Sequence, residues 1–126
     1  MPDTSLLESF ATPSDTPFVI EHTSEEFTSV CPVTGHPDFG EVTLIFEPRT
    51  NNAGGTCVEL KSLKLYLQSF RDEGIYYEAV TNSIRDDLAK LMEPTWMVVR
   101  TDWKGRGGIK STIRATVGDV PGLWLK

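Results

Sequence analysis

Glu59-Leu60-Lys61-Ser62-Leu63-Lys64-Leu65-Tyr66-Leu67-Gln68-Ser69-Phe70 is the stretch on which the fold turns. Leu63, Tyr66, Leu67 and Phe70 fall at i, i+3, i+4 and i+7, so one face of an amphipathic helix is apolar. The helix is expected to stop near Gly74. Val80, Ile84, Leu88 and Leu91 repeat the period from Glu78 to Met92, and Pro94 bars this second helix from going further. Outward from the helical pair the period changes. Val42, Leu44 and Phe46 alternate with Glu41, Thr43 and Glu47, which is the two-residue period of a strand. Pro48 ends that strand, Asn51-Asn52-Ala53-Gly54-Gly55 turns the chain, and Thr56-Cys57-Val58 starts another, so 41–60 reads as a hairpin. Phe18-Val19-Ile20 reads as a short strand, and 23–39 as a long loop of the kind that often carries function. Downstream, Trp96 to about Trp103 and Ile109 to Val117 read as strands flanking a turn at Gly105, Gly107 and Gly108.

Strand-strand-helix-helix-strand-strand implies an α+β domain, an antiparallel four-stranded sheet with two helices on one face. Such a sheet has two edges, which must be blunted or paired. Pairing them between copies would build a ring; blunting them would leave a monomer. Residues 1–15, rich in Ser, Thr, Pro and Asp, read as a flexible N-terminal arm, and 16–126 as a single domain.

The chain has 126 residues, enough to bury a core without disulfide or metal staples. Twelve Lys+Arg against eighteen Asp+Glu leave a net charge of -6, which disfavours a general nucleic-acid or anionic-membrane binder. Two cysteines exclude a disulfide-rich scaffold. The sequence holds no apolar run long enough for a membrane span, and its start lacks the basic and apolar segments of a signal peptide. The cytoplasm is the expected location.

Cys31 is the first chemical candidate. It lies in the expected long loop, and Gly35 and Pro37 could fold Asp38 back onto it. A thiol with a proton donor beside it is the minimum for covalent catalysis; a thiol that merely packs is the plainer reading. Cys57, in a strand, suits packing. Cys31, His36, Cys57 and His22 match no strong zinc spacing, so no metal is expected. Lys61 and Lys64 share a face at the start of the first helix, where amide N–H groups, helix dipole and ammonium groups together favour an anion; a solvated pair is the alternative. Arg106, in a glycine-rich turn, is a second possible phosphate contact. Glu78, in the first turn of the second helix, is either a dipole partner or a carboxylate for a guanine-like base edge. There is no G-x-G-x-x-G or P-loop. Trp96, Trp103 and Trp124 suit core or rim positions.

Together these residues resemble one family. Glu26-Phe27-Thr28-Ser29-Val30-Cys31-Pro32-Val33-Thr34-Gly35-His36-Pro37-Asp38-Phe39 is similar to the active-site segment of the QueF-type nitrile reductases, the NADPH-dependent 7-cyano-7-deazaguanine reductases of queuosine biosynthesis. Glu59 to Tyr66 resembles that family's cofactor signature, and Gly74 to Glu78 and Arg106-Gly107-Gly108-Ile109 fall where the family has its base-binding Glu and a further basic residue. The resemblance spans about residues 16–117. It implies the tunnel fold, with sheets of several subunits joined into a barrel and two rings stacked as a decamer, and active sites between neighbouring subunits. It implies that the Cys31 thiolate adds to the nitrile as a thioimide, that Asp38 protonates the nitrile nitrogen, and that two NADPH reduce the adduct and then the imine. Glu78 would grip the base, with Tyr77 and Leu60 beside it. Lys61, Ser62, Lys64 and Arg106 would meet NADPH. No direct nucleic-acid contact is implied.

Two positions depart from the family. Some members carry His where this chain has Tyr77, a phenol that titrates near ~10. Some carry Ser where this chain has Leu60, which removes a side-chain hydrogen bond to the base. Rival readings are an amidinotransferase of the same fold acting on the nitrile base in tRNA, a zinc-dependent tunnel-fold enzyme acting on pterins, and a non-catalytic purine or pterin binder. Lys61, Ser62 and Lys64 together argue against the amidinotransferase.

Overall fold

A computed structural model describes residues 2–126 of the chain, the side chain of Arg106 apart. The elements run β1 (Ser9–Ala11), β2 (Ile20–Val30), β3 (Pro37–Glu47), β4 (Thr56–Val58), α1 (Leu60–Gln68), α2 (Tyr77–Met92), β5 (Trp96–Arg106) and β6 (Ile109–Val117), with short 3-10 turns at Thr4–Leu6, Asn51–Ala53 and Gly122–Leu125. The main sheet has four antiparallel strands in the order β2-β3-β5-β6. Both helices lie on one of its faces.

The pleat explains the layers. On β3, Val42, Leu44 and Phe46 point toward the helices, and on β5 Met97, Val99 and Trp103 do the same. They meet Leu63, Tyr66, Leu67 and Phe70 from α1 and Val80, Ile84, Leu88 and Met92 from α2. Burying each of these side chains contributes about 1.5–3 kcal/mol. Tyr66 is fully buried, with its hydroxyl donating to Asp87. Burial first, then that bond and the charges of Asp87 and Asp86, hold its phenol far above the ordinary range and so neutral. The opposite face carries a smaller cluster, Ile45, Trp96 and Val98, capped by Val19, Val120 and Trp124. Cys57 is buried in the main core, as a packing role requires.

Four expectations are corrected. The long loop expected over 23–39 is a hairpin: β2 and β3 pair from Ile20↔Phe46 to Val30↔Pro37, leaving only 31–36 as a connection. A bulge between Ser24 and Phe27 breaks the two-residue period, and an edge strand keeps Ser, Thr and Glu on its exposed face, so the alternation is hidden. The hairpin expected over 41–60 does not form, because β4 pairs with β1 instead (Ser9↔Val58 to Ala11↔Thr56). That pairing builds part of the segment read as a flexible arm into the domain. Thr12 is buried, and its N–H donates to the carbonyl of Gly55. A three-residue strand is too short to show a period. Helix α1 ends at Gln68, earlier than Gly74, and residues 69–76 form the connection to α2.

The β5–β6 turn is the glycine turn expected. Gly107 and Gly108 have φ of 56° and 83°, the two positive angles a two-residue type I′ hairpin demands.

Candidate active site

The end of β2 is tied on both sides. The Val30 N–H donates to the Glu73 carbonyl at 2.9 Å, and the Ile75 N–H donates to the Val30 carbonyl at 3.0 Å, so the α1–α2 connection runs alongside the strand. One residue on, the Cys31 N–H donates to the His36 carbonyl and the Gly35 N–H to the Cys31 carbonyl, both at 2.9 Å. These bonds close a tight turn in which Gly35 takes φ 75°. Cys31 is left half-buried at its base.

The turn delivers Asp38 to the start of β3. Asp38 is 5% exposed and lies across from the fully buried Ser29 in the β2–β3 register. Ser29 Oγ has no hydrogen-bond partner among the described residues. The eight residues from Cys31 to Asp38 thus become one end of one hairpin, with the thiol and the carboxyl both on it.

Helix α2 supplies the other wall. Tyr77 opens the helix, and its hydroxyl donates to Asp38 Oδ1 at 3.2 Å. Its ring lies flat on Trp103, with centroids 4.0 Å apart and 7° between planes. Phe27 meets the edge of Trp103 at 5.8 Å. Glu78 is exposed in the first turn, where a carboxylate suits the positive end of the helix. Sequence reasoning placed Tyr77 beside the base; the structure joins it to Asp38. It read Trp103 as core or rim and missed its place under Tyr77, 26 positions away, for which the sequence carries no signal.

The expected anion site at α1 is different in kind. Glu59 caps the helix, and its carboxylate accepts from the N–H groups of Lys61 (2.6 Å) and Ser62 (2.9 Å). The chain's own carboxylate therefore occupies the amide cradle, and a phosphate would have to be met by side-chain cations. Ser62 is turned inward and 3% exposed: its Oγ accepts from the Glu8 N–H at 3.0 Å and donates to the Glu59 carbonyl at 2.7 Å. Lys61 and Lys64 are exposed and make no ion pair among the described residues. Leu60, Lys64, Gln68 and Arg71 line one side of a pocket of about 370 Å³, and β2 forms the other side. Gln68 and Arg71 were missed because nothing in the helical period marks which polar positions face a groove. Arg106 ends β5, and its side chain lies outside the described residues.

His22 also lines that pocket. Burial pushes its imidazole below the ordinary 6.5. Among the described residues no three His, Cys, Asp or Glu side chains converge as a metal site, and no helix is long and apolar enough to cross a membrane.

The family model described as QueF-like protein matches residues 37–121. The chain is similar to the NADPH-dependent 7-cyano-7-deazaguanine reductase of Rhodopirellula baltica, 49% identical over 90% of each chain. It is 52% identical to the enzyme of the same name from Chlorobium luteolum, over 79% of this chain and 81% of that one. The chain belongs to the QueF-like family. It superposes on a crystal structure of the archaeosine synthase QueF-Like with a TM-score of 0.70, covering 87% of this chain and 99% of that one. At 22% identity that likeness shows the fold alone, the α+β tunnel fold. In this QueF-like chain the family match begins at Pro37, so it takes in Asp38, Tyr77 and Glu78, while Cys31 lies just before it.

Proposed function

We infer that this chain reduces the nitrile of 7-cyano-7-deazaguanine to the aminomethyl group with NADPH, with Cys31 as nucleophile and Asp38 as acid. The reading rests on kinship with the reductases of that name and on one observation, the β2–β3 turn that sets Cys31 and the buried Asp38 at the same end of one hairpin. A nitrile is a poor hydride acceptor. Adding the Cys31 sulfur to its carbon makes a thioimide, which splits one hard step into two easier ones. The electron pair released onto nitrogen takes a proton from Asp38, held 5% exposed and therefore shielded from bulk water.

Glu78 presents a carboxylate that suits the adjacent N–H and NH₂ donors of a guanine-like edge. NADPH, when bound, supplies the hydrides. The exposed ammonium groups of Lys61 and Lys64, with Arg71 lining the pocket, form a donor set that fits its phosphates. Ser62 supports the helix carrying those lysines. The enzyme works in the cytoplasm as a homo-oligomer of two stacked rings. The outer edges of β2 before Val30 and of β6 carry no partner strand among the described residues and support assembly, since an unpaired edge is a template for another strand.

Nicotinamide absorbance, followed with purified protein, NADPH and the nitrile, tests the reading. Two NADPH consumed per nitrile, and none by Cys31→Ala, is expected. A folded wild-type protein that consumes no NADPH would overturn it.

A further inference from the structure

A carboxylic acid carries its proton on one of two oxygens, and the oxygen that takes a hydrogen bond from a neighbouring O–H is the acceptor of the pair. In Asp38 that acceptor is Oδ1, which receives the Tyr77 hydroxyl at 3.2 Å. The contact is long for an O–H···O bond, as such bonds often are before substrate is in place.

The phenol is held where it is by a circuit of bonds. Trp103 Nε1–H donates to Thr101 Oγ1 at 2.8 Å, the Thr101 and Thr81 hydroxyls lie 2.7 Å apart, and Thr81 Oγ1 donates to the Tyr77 carbonyl at 2.8 Å. Because Thr81 gives its only proton to Tyr77, Thr101 must donate to Thr81. Every hydroxyl in the row therefore both accepts and donates. The row starts at the indole on which the Tyr77 ring is stacked and returns to the Tyr77 main chain. Thr81 and Thr101 are fully buried and Trp103 nearly so. A buried network with every member satisfied is rigid.

We propose that Tyr77 is the positioning residue for Asp38: its hydroxyl occupies Oδ1, so that the proton given to the substrate nitrogen leaves from Oδ2. This rests on the reading of Asp38 as the acid. In the step concerned, the Cys31 thiolate forms the S–C bond with the nitrile carbon and one C≡N π pair moves to nitrogen. That nitrogen takes the Oδ2 proton, leaving a thioimide and an Asp38 carboxylate. The Tyr77 O–H bond strengthens as that charge appears. Trp103, Thr101 and Thr81 act only by holding the ring.

Tyr77→Phe keeps the ring on Trp103 and removes the hydroxyl alone. The assay mixes enzyme with 7-cyano-7-deazaguanine without NADPH, quenches at intervals, and reads the covalent adduct by intact mass. The rate of adduct formation is expected to fall about 10- to 100-fold, the scale on which misplacing a reacting group acts. KM for the nitrile should stay within about twofold, and Tyr77→His, which keeps a ring and a donor, should recover part of the rate. In the Asp38→Asn background, Tyr77→Phe should have little further effect. A wild-type rate in Tyr77→Phe, a loss confined to KM, or a full further loss in the Asp38→Asn background each overturns the inference. Wild-type enzyme that forms no adduct overturns the reductase reading and this inference with it; wild-type enzyme that does form it separates the two.

Discussion

Replacing Ser62 with Ala separates a structural serine from a cofactor ligand. Ser62 Oγ accepts the Glu8 N–H at 3.0 Å, donates to the Glu59 carbonyl at 2.7 Å and lies 3.2 Å from the Glu8 carbonyl. Its single proton serves one carbonyl at a time, so truncation removes two bonds and strands the Glu8 N–H at the entrance to β1. Two part-buried bonds are worth roughly 0.5–1.5 kcal/mol each. Alanine returns up to about 0.5 kcal/mol through its better helix propensity. The net loss is about 1–2 kcal/mol. For a chain of this size that corresponds to a fall in Tm of about 3–8 °C. Thermal unfolding should be read at fixed protein concentration, because any assembly adds stability by mass action. Amide exchange at Ser9–Ala11, whose strand pairs with β4 just beyond this anchor, should speed up, while KM for NADPH stays within about twofold. An unchanged Tm with KM for NADPH raised tenfold or more would refute the reasoning and make Ser62 a cofactor ligand.

A Cβ at Gly40 would sit 2.7 Å from the Asp102 carbonyl oxygen and 2.9 Å from the Trp103 ring, so Gly40→Ala should cost about 2–3 kcal/mol, read as a lower urea midpoint; an unchanged midpoint would show that β5 yields. Ser29→Ala deletes a buried hydroxyl with no partner among the described residues, so it should leave stability within about 1 kcal/mol or raise it. A loss above about 2 kcal/mol would mean the hydroxyl is bonded. His22 should titrate below 6.5 by NMR, because burial disfavours its charged form. The unfolded chain then takes the proton first, so the stability His22 contributes is present above pH 6.5 and is lost as pH falls below that value. A folded-state value at or above 6.5 would refute this.

The parts legible in the sequence are those whose signal is local. Leu63, Tyr66, Leu67 and Phe70 announce one apolar helix face, Val42, Leu44 and Phe46 one strand face, and all seven are buried in the same core. The Cys31 to Asp38 spacing and the glycines of the β5–β6 turn are likewise short-range. The β2 strand was hidden because its bulge shifts the register midway. The β1–β4 pairing joins segments 47 or so positions apart, and no period in a three-residue strand can specify a partner at that distance.

Site residues divide along the same line. Residue type and spacing in the sequence put a thiol and a carboxyl seven positions apart, and cations and a carboxylate in the first turns of the two helices. Direction was not in the sequence. Tertiary packing turned Ser62 inward to Glu8, gave the α1 amides to Glu59, and laid Tyr77 between Trp103 and Asp38. Those outcomes depend on which backbone groups from distant segments need partners and on where the sheet leaves room for a ring. Both are settled only when the helices close over the strands.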